Sequence, residues 1–147
     1  MPIFEHILCP VDFDDNSLTA LRLASLLAER DKATLFLMHV IRIVEEMIVA
    51  APVALSQDER LTHSQLDKLA ENHLGSINHQ IIVRYGNPAE QILAAELELG
   101  VDLVVMATHG RTGISHLFFG SVAEKVVRES SCPVLTVRRG VSQPKQA

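Results

Sequence analysis

The stretch VDLVVMATHGRTGISHLFFGSVAEKVVRESSCPVLTVR, residues 101–138, decides the fold. Its opening run VDLVVMA (101–107) reads as a strand. A loop carrying Gly110, Gly113 and Gly120 follows, then a helical run SVAEKVVRESS (121–131), then a second strand-like run CPVLTVR (132–138). The first of these strand runs is apolar on consecutive residues rather than on alternate ones. That pattern belongs to strands covered on both faces, and a helix joining two such strands makes them parallel.

The same unit repeats toward the N-terminus. NPAEQILAAELELG (87–100) is a helix with clear punctuation: Asn87 can cap it, Pro88 suits the first helical position, Glu90 lies in the first turn and Gly100 ends it. INHQIIVRYG (77–86) precedes it as a strand. From about Gln57 to Leu74 a helical period runs through Leu61, Leu66, Leu69, Ala70 and Leu74, with Gly75 at the C′ position. Residues 42–56 have no clean period, since Glu45 and Glu46 are followed by MIVAAPVAL; this suits a flap or a partner-contacting segment. ATLFLMHVI (33–41) is a continuous apolar strand. DDNSLTALRLASLLAERDKA (14–33) is a helix that Asn16 or Ser17 can cap, with Leu18, Leu21, Ala24, Leu27 and Ala28 on one face. FEHILCPVD (4–12) is the first strand, stopped by Pro10. The sum is strict β-α alternation, an α/β fold with a parallel sheet and helices on both faces. Ligands of such sheets sit beyond the carboxyl ends of the strands, where the strand order reverses.

The chain has 147 residues, of which 48% are hydrophobic, enough for one domain over 1–147 with a real core. Its tail, 140–147, is polar and expected to be loose. A net charge of −5 without a basic block argues against a nucleic-acid surface, which needs clustered Lys or Arg. No signal peptide or membrane span is legible, so a cytoplasmic protein without membrane contact is expected. Cys9 and Cys132 have no metal or redox spacing, and reduced thiols are favoured over a disulfide between them.

The loop from Thr108 to Gly120 is the strongest place for chemistry. Gly110 and Gly113 allow close backbone approach, and Gly120 and Ser121 stand at a helix start, where N–H groups and the dipole favour an anion. The Ser121 hydroxyl, Arg111 and His109 could add donors. Phosphate binding and a plain loop before a Ser-capped helix are both open on spacing alone.

Residues 104–138 also resemble the C-terminal half of the universal stress protein family, in its UspA-like, nucleotide-binding branch. That branch carries G-x2-G-x9-G-S/T here; Gly110, Gly120 and Ser121 match it, and Ala107 stands at its first glycine. ILCPVDFDDNS (7–17) resembles the family's first strand and loop, HVI (39–41) the end of its second strand, and GNPAE (86–90) its G-x-P-x-E turn. The resemblance implies a Rossmann-like fold of adenine nucleotide alpha hydrolase type, an open five-stranded parallel sheet. It implies that Pro10, Val11 and Asp12 flank the nucleoside, with Asp12 accepting from a ribose hydroxyl, and that Val40 lines the adenine. Ala107, His109, Gly110, Arg111, Gly120, Ser121 and Val122 would surround the phosphates. The expected ligand is ATP with Mg2+, or another adenine nucleotide, and the expected assembly is a homodimer through the last strand, 133–138.

Other chemistry is weaker. His39, His109 and His116 lie on separate elements without a carboxylate or cysteine at ligand spacing, so no zinc site is expected. Asp14 and Asp15 fit helix-start charge better than a ligand set. FGSVA is not G-x-S-x-G, and no Walker lysine follows the glycines, which leaves at most a slow ATPase or autophosphorylation. The expectation is therefore a stress-response protein that binds an adenine nucleotide as a sensor or accessory factor. The alternative, motivated by Ala107, is a dimeric interaction module of the same family that binds no nucleotide.

Overall fold

The computed structural model describes residues 1–43, 52–108 and 120–138, the side chains of 52–56 excepted. Strands β1 (His6–Pro10), β2 (Thr34–Ile41), β3 (His79–Tyr85), β4 (Leu103–Ala107) and β5 (Val134–Val137) alternate with helices α1 (Asp15–Asp31), α2 (Pro52–His73), α3 (Pro88–Glu98) and α4 (Ser121–Glu129). All ladders are parallel, and the strand order is β3-β2-β1-β4-β5. The chain thus lays strands outward from β1 to β3, returns across the sheet, and lays β4 and β5 on the other side. Reversing that direction with crossovers of one hand moves the helices to the opposite face. The core divides accordingly. Ile7, Cys9, Leu35, Leu37, Leu103 and Val105 pack under Leu21 and Ala24 of α1 and Leu66 and Ala70 of α2. Leu8, Phe36, Met38, Val40, Val104 and Met106 pack under Ile92 and Ala95 of α3 and Ala123 and Val126 of α4. The consecutive apolar residues of β1, β2 and β4 are explained by this, since alternate side chains feed two separate buried layers.

Helix boundaries follow local chemistry. Asn87 caps α3 by accepting from the Glu90 N–H at 3.1 Å, and Pro88 follows it. Gly75 and Gly100, just past α2 and α3, adopt φ of +49° and +63°, where a side chain would be strained. Two boundaries differ from the sequence reading. The cap of α1 is Asp14, whose carboxylate accepts from the Ser17 N–H at 2.8 Å. Asn16 and Ser17 lie inside the first turn and are buried, and the Ser17 hydroxyl is taken up by Asp12 of the loop after β1 rather than by the helix end. Helix α2 starts at Pro52 instead of near Gln57. Proline's fixed φ suits a first turn, and the helix then runs across residues that lack an apolar period. The last five residues of the aperiodic segment, 52–56, are thus helical, while 44–51 and the expected tail at 140–147 lie outside the described residues.

One buried carboxylate orders the start of β5. Glu96 of α3 is only 2% exposed. It accepts from the Ser130 hydroxyl, the Ser131 N–H and the Ser131 hydroxyl, each at 2.6 Å. Burial alone would push this carboxyl up, but the hydrogen bonds outweigh it and hold the group below the usual carboxylate range. Both thiols are free. Burial pushes Cys9 up to about 12, and the half-buried Cys132 is also raised, chiefly by burial. Neither is an activated nucleophile.

Candidate functional site

The strand order reverses between β1 and β4, and there the carboxyl ends of the strands open into a cleft of about 600 Å³. Pro10, Val11, Asp12, Val40, Ala107, Gly120, Ser121 and Val122 all line it. His109, Gly110 and Arg111, with the remainder of 109–119, lie outside the described residues. The cleft straddles the sheet's end, so its two walls differ. On the α1 side stand Asp12, Ser17 and His39; on the α3–α4 side stand Val40, Pro88, Ile92, Met106, Val122 and Ala123. One wall is polar and the other apolar, a combination suited to a ligand with a flat apolar part and a polar part.

The polar wall is held rigidly. The Asp12 N–H donates to Ser17 Oγ at 3.0 Å, and the Ser17 hydroxyl donates to Asp12 Oδ1 at 2.6 Å. Asp14 sits beside this pair. Burial, and then the neighbouring Asp12, raise its carboxyl above the usual range, although the cap hydrogen bond from the Ser17 N–H pulls the other way. Its Oδ2 is buried without a hydrogen-bond partner. His39 Nδ1 lies 2.6 Å from the Val11 carbonyl, which can only accept, so Nδ1 carries the proton. The imidazole packs on Phe13 with ring centroids 4.7 Å apart. Phe13 holds a φ of +67°, uncommon for a bulky residue, and this contact helps keep the loop after β1 in its strained shape.

The opposite end of the cleft is the start of α4. Gly120 is the N-cap and supplies no side chain to the exposed amides. Its own N–H is engaged, donating to the Thr108 carbonyl at 2.6 Å. The Glu124 N–H bonds back to the Gly120 carbonyl as the first helical bond, which leaves the Ser121, Val122 and Ala123 amides without a backbone partner among the described residues. All three residues line the cleft. Thr108 fixes their position: its N–H donates to the Val137 carbonyl of β5 at 3.0 Å while its carbonyl holds Gly120.

Ala107, the departure from the glycine pattern, pairs with Val137 in register, and Val137 packs in the layer beneath α1 and α2. In-register neighbours share a sheet face. The Ala107 methyl therefore faces the α1 side, across the sheet from the layer in which Val122 and Ala123 of α4 pack.

The sequence reading passed over Ser17, His39, Arg42, Pro88, Ile92, Met106 and Ala123 as cleft residues, and took Thr108 only as the start of the loop. Thr108 and Met106 adjoin Ala107, and the carboxyl-end rule, applied to the β3–α3 crossing, would have found Pro88. Arg42, one residue past β2, has no such signal, because nothing local says which way an exposed side chain turns.

The universal stress protein family model matches residues 3–138. Universal stress protein MJ0577 of Methanocaldococcus jannaschii is 26% identical over 93% of this chain and 96% of its own length. Its solved structure superposes with a TM-score of 0.79 at 27% identity, covering 93% of this chain and 97% of that one. A universal stress protein solved in complex with cAMP shares the fold, with a TM-score of 0.66 at 22% identity over 91% of this chain and 96% of that one. So does the universal stress protein from Archaeoglobus fulgidus solved in complex with dAMP, with a TM-score of 0.60 at 20% identity over 92% and 98% of the two chains. With the sheet order, the helix-start geometry and a family match running from residue 3 to residue 138, the chain belongs to the universal stress protein family.

Proposed function

We propose that the cleft binds an adenine nucleotide, and that the protein serves the stress response as a nucleotide-dependent sensor or accessory factor in the cytoplasm rather than as a fast catalyst. One observation carries the reading: the Ser121, Val122 and Ala123 amides, at a helix start without a side-chain cap, edge a cleft whose other residues form one apolar and one polar wall. Amides and dipole suit a phosphate, the apolar wall with Val40 suits a purine, and the Asp12 carboxylate suits a ribose hydroxyl. The cAMP and dAMP complexes of two proteins of this fold support the ligand class.

Among the described residues no group of three His, Cys, Asp or Glu side chains could cage a metal. Magnesium needs no such cage, since it keeps several waters and takes substrate phosphates with one or two carboxylates. Asp12 is the residue that would face it. Bound with ATP, the ion would neutralise phosphate charge; the chain's own part is to orient the nucleoside and hold the phosphates on the α4 amides.

The test is thermal-shift titration with Mg-ATP, AMP and GTP, alongside native mass spectrometry of fresh protein. A ligand present at a hundred times its Kd should stabilise the fold by about 2.7 kcal/mol. No shift at millimolar ligand together with no retained nucleotide would sink the reading. The second reading, a dimeric module that binds no nucleotide, is favoured by Ala107 at the strand end. Ala107→Gly separates the two: gain of binding from none supports the module, unchanged or modestly tighter binding supports the nucleotide. We also propose homodimerisation through 133–138, supported by β5 being an edge strand, paired with β4 among the described strands, with Leu135 38% exposed.

A further inference from the structure

We infer that Arg42 is a specificity residue of the cleft that covers the base of the bound nucleotide rather than its phosphates; this rests on the nucleotide reading above. Arg42 lines the cleft and is exposed. It is the sole Lys or Arg among the described lining residues, and among the described residues it forms no ion pair, Asp12 included. A cation in a nucleotide cleft is first suspected of meeting phosphate. The strand order argues otherwise. Arg42 follows β2, whereas the orphan amides of α4 lie beyond β4, and β1 stands between these strands. Two ladder spacings separate the positions, roughly 10 Å. A phosphate held on the Ser121–Ala123 amides therefore lies at the far end from Arg42, and the nucleoside spans toward β2.

At that end the wall is Val40, two residues before Arg42 on the same strand exit, with Ile92 and Pro88 behind it. A purine lying on this apolar wall leaves its other face open. A planar guanidinium attached to the rim can stack on that face, which a point-charge ammonium does less well. The shielding of both base faces would make Arg42 a contributor to preference for purine nucleotides over bare sugar phosphates.

The experiment measures dissociation constants of AMP and adenosine by calorimetric competition for wild type, Arg42→Ala and Arg42→Lys. Arg42 is exposed, so both variants should fold, which a melting curve checks. Arg42→Ala is expected to weaken AMP and adenosine by the same factor, roughly three- to twentyfold, leaving the ratio between them unchanged, and Arg42→Lys should recover only part of the loss. If Arg42→Ala raises the dissociation constant of AMP by a larger factor than that of adenosine, the side chain meets phosphate and the inference is overturned. Equal affinities in wild type and variant overturn it as well. Wild type that binds neither ligand overturns the nucleotide reading itself, and this inference with it.

Discussion

Glu96 is the residue on which one end of the sheet depends. Its carboxylate takes up two serine hydroxyls and a backbone N–H at the entrance to β5. Replacing it with alanine leaves those donors without their acceptor and opens a void, so Glu96→Ala should cost about 2–4 kcal/mol at pH 7, read by urea unfolding. The pH dependence has a definite sign. The folded carboxyl sits below its ordinary value, so its contribution is present above about pH 4.3, the unfolded reference, and is lost as pH falls through the folded value. The gap between wild type and variant should therefore narrow below about pH 4. Asp31 acts in the same direction independently: Arg30 first, then the Phe4 and Ile3 N–H groups, hold it down to about 2. Wild type and Glu96→Ala alike should still lose stability in acid through this second group.

The element on which the proposed phosphate site rests is the first turn of α4. Gly120 adopts φ −61° and ψ 155°, the extended geometry that a following proline prefers, and Ser121 is the first helical position, where proline is tolerated. Ser121→Pro thus removes one backbone N–H without breaking the helix. It should leave the melting temperature within a few degrees while weakening AMP by roughly tenfold to a hundredfold, the value of a hydrogen bond to a charged group. Ser121→Ala keeps the amide, and calorimetry should place it between the two. Equal AMP affinity in wild type and Ser121→Pro would remove the amides from the proposed site. At α1 the cap was misread for a physical reason. Asp14, Asn16 and Ser17 are all good capping residues, and only the direction in which the chain leaves β1 decides which one precedes the first turn and which ones are buried within it.

Across the whole molecule, Thr108 ties the cleft to the edge strand, since its amide bonds the Val137 carbonyl of β5 and its carbonyl bonds the Gly120 N–H. An unprotected edge strand invites pairing with another chain. On the proposed assembly, Leu135→Lys should convert dimer to monomer in light scattering at micromolar protein, with little change in the urea midpoint of the monomer. A wild type that is monomeric across that range would remove the β5 dimer from the proposal.

Much of this was legible in the chain itself. Consecutive apolar residues in LFLMHV and LVVMA can only suit strands buried on both faces, and Asn87-Pro88 and Gly100 punctuate α3 by local backbone chemistry alone. Alternation of such strands with helices fixes a parallel α/β sheet, and with it the edge at which the cleft opens. What needed the tertiary structure is whatever depends on neighbours remote in sequence. The burial of Glu96 beneath Ser130 and Ser131, the engagement of the Gly120 N–H by Thr108, the face to which the Ala107 methyl turns and the arrival of Arg42 at the rim all arise from how strands far apart in the chain are ordered side by side. Local sequence encodes period and punctuation; strand order sets which side chains meet.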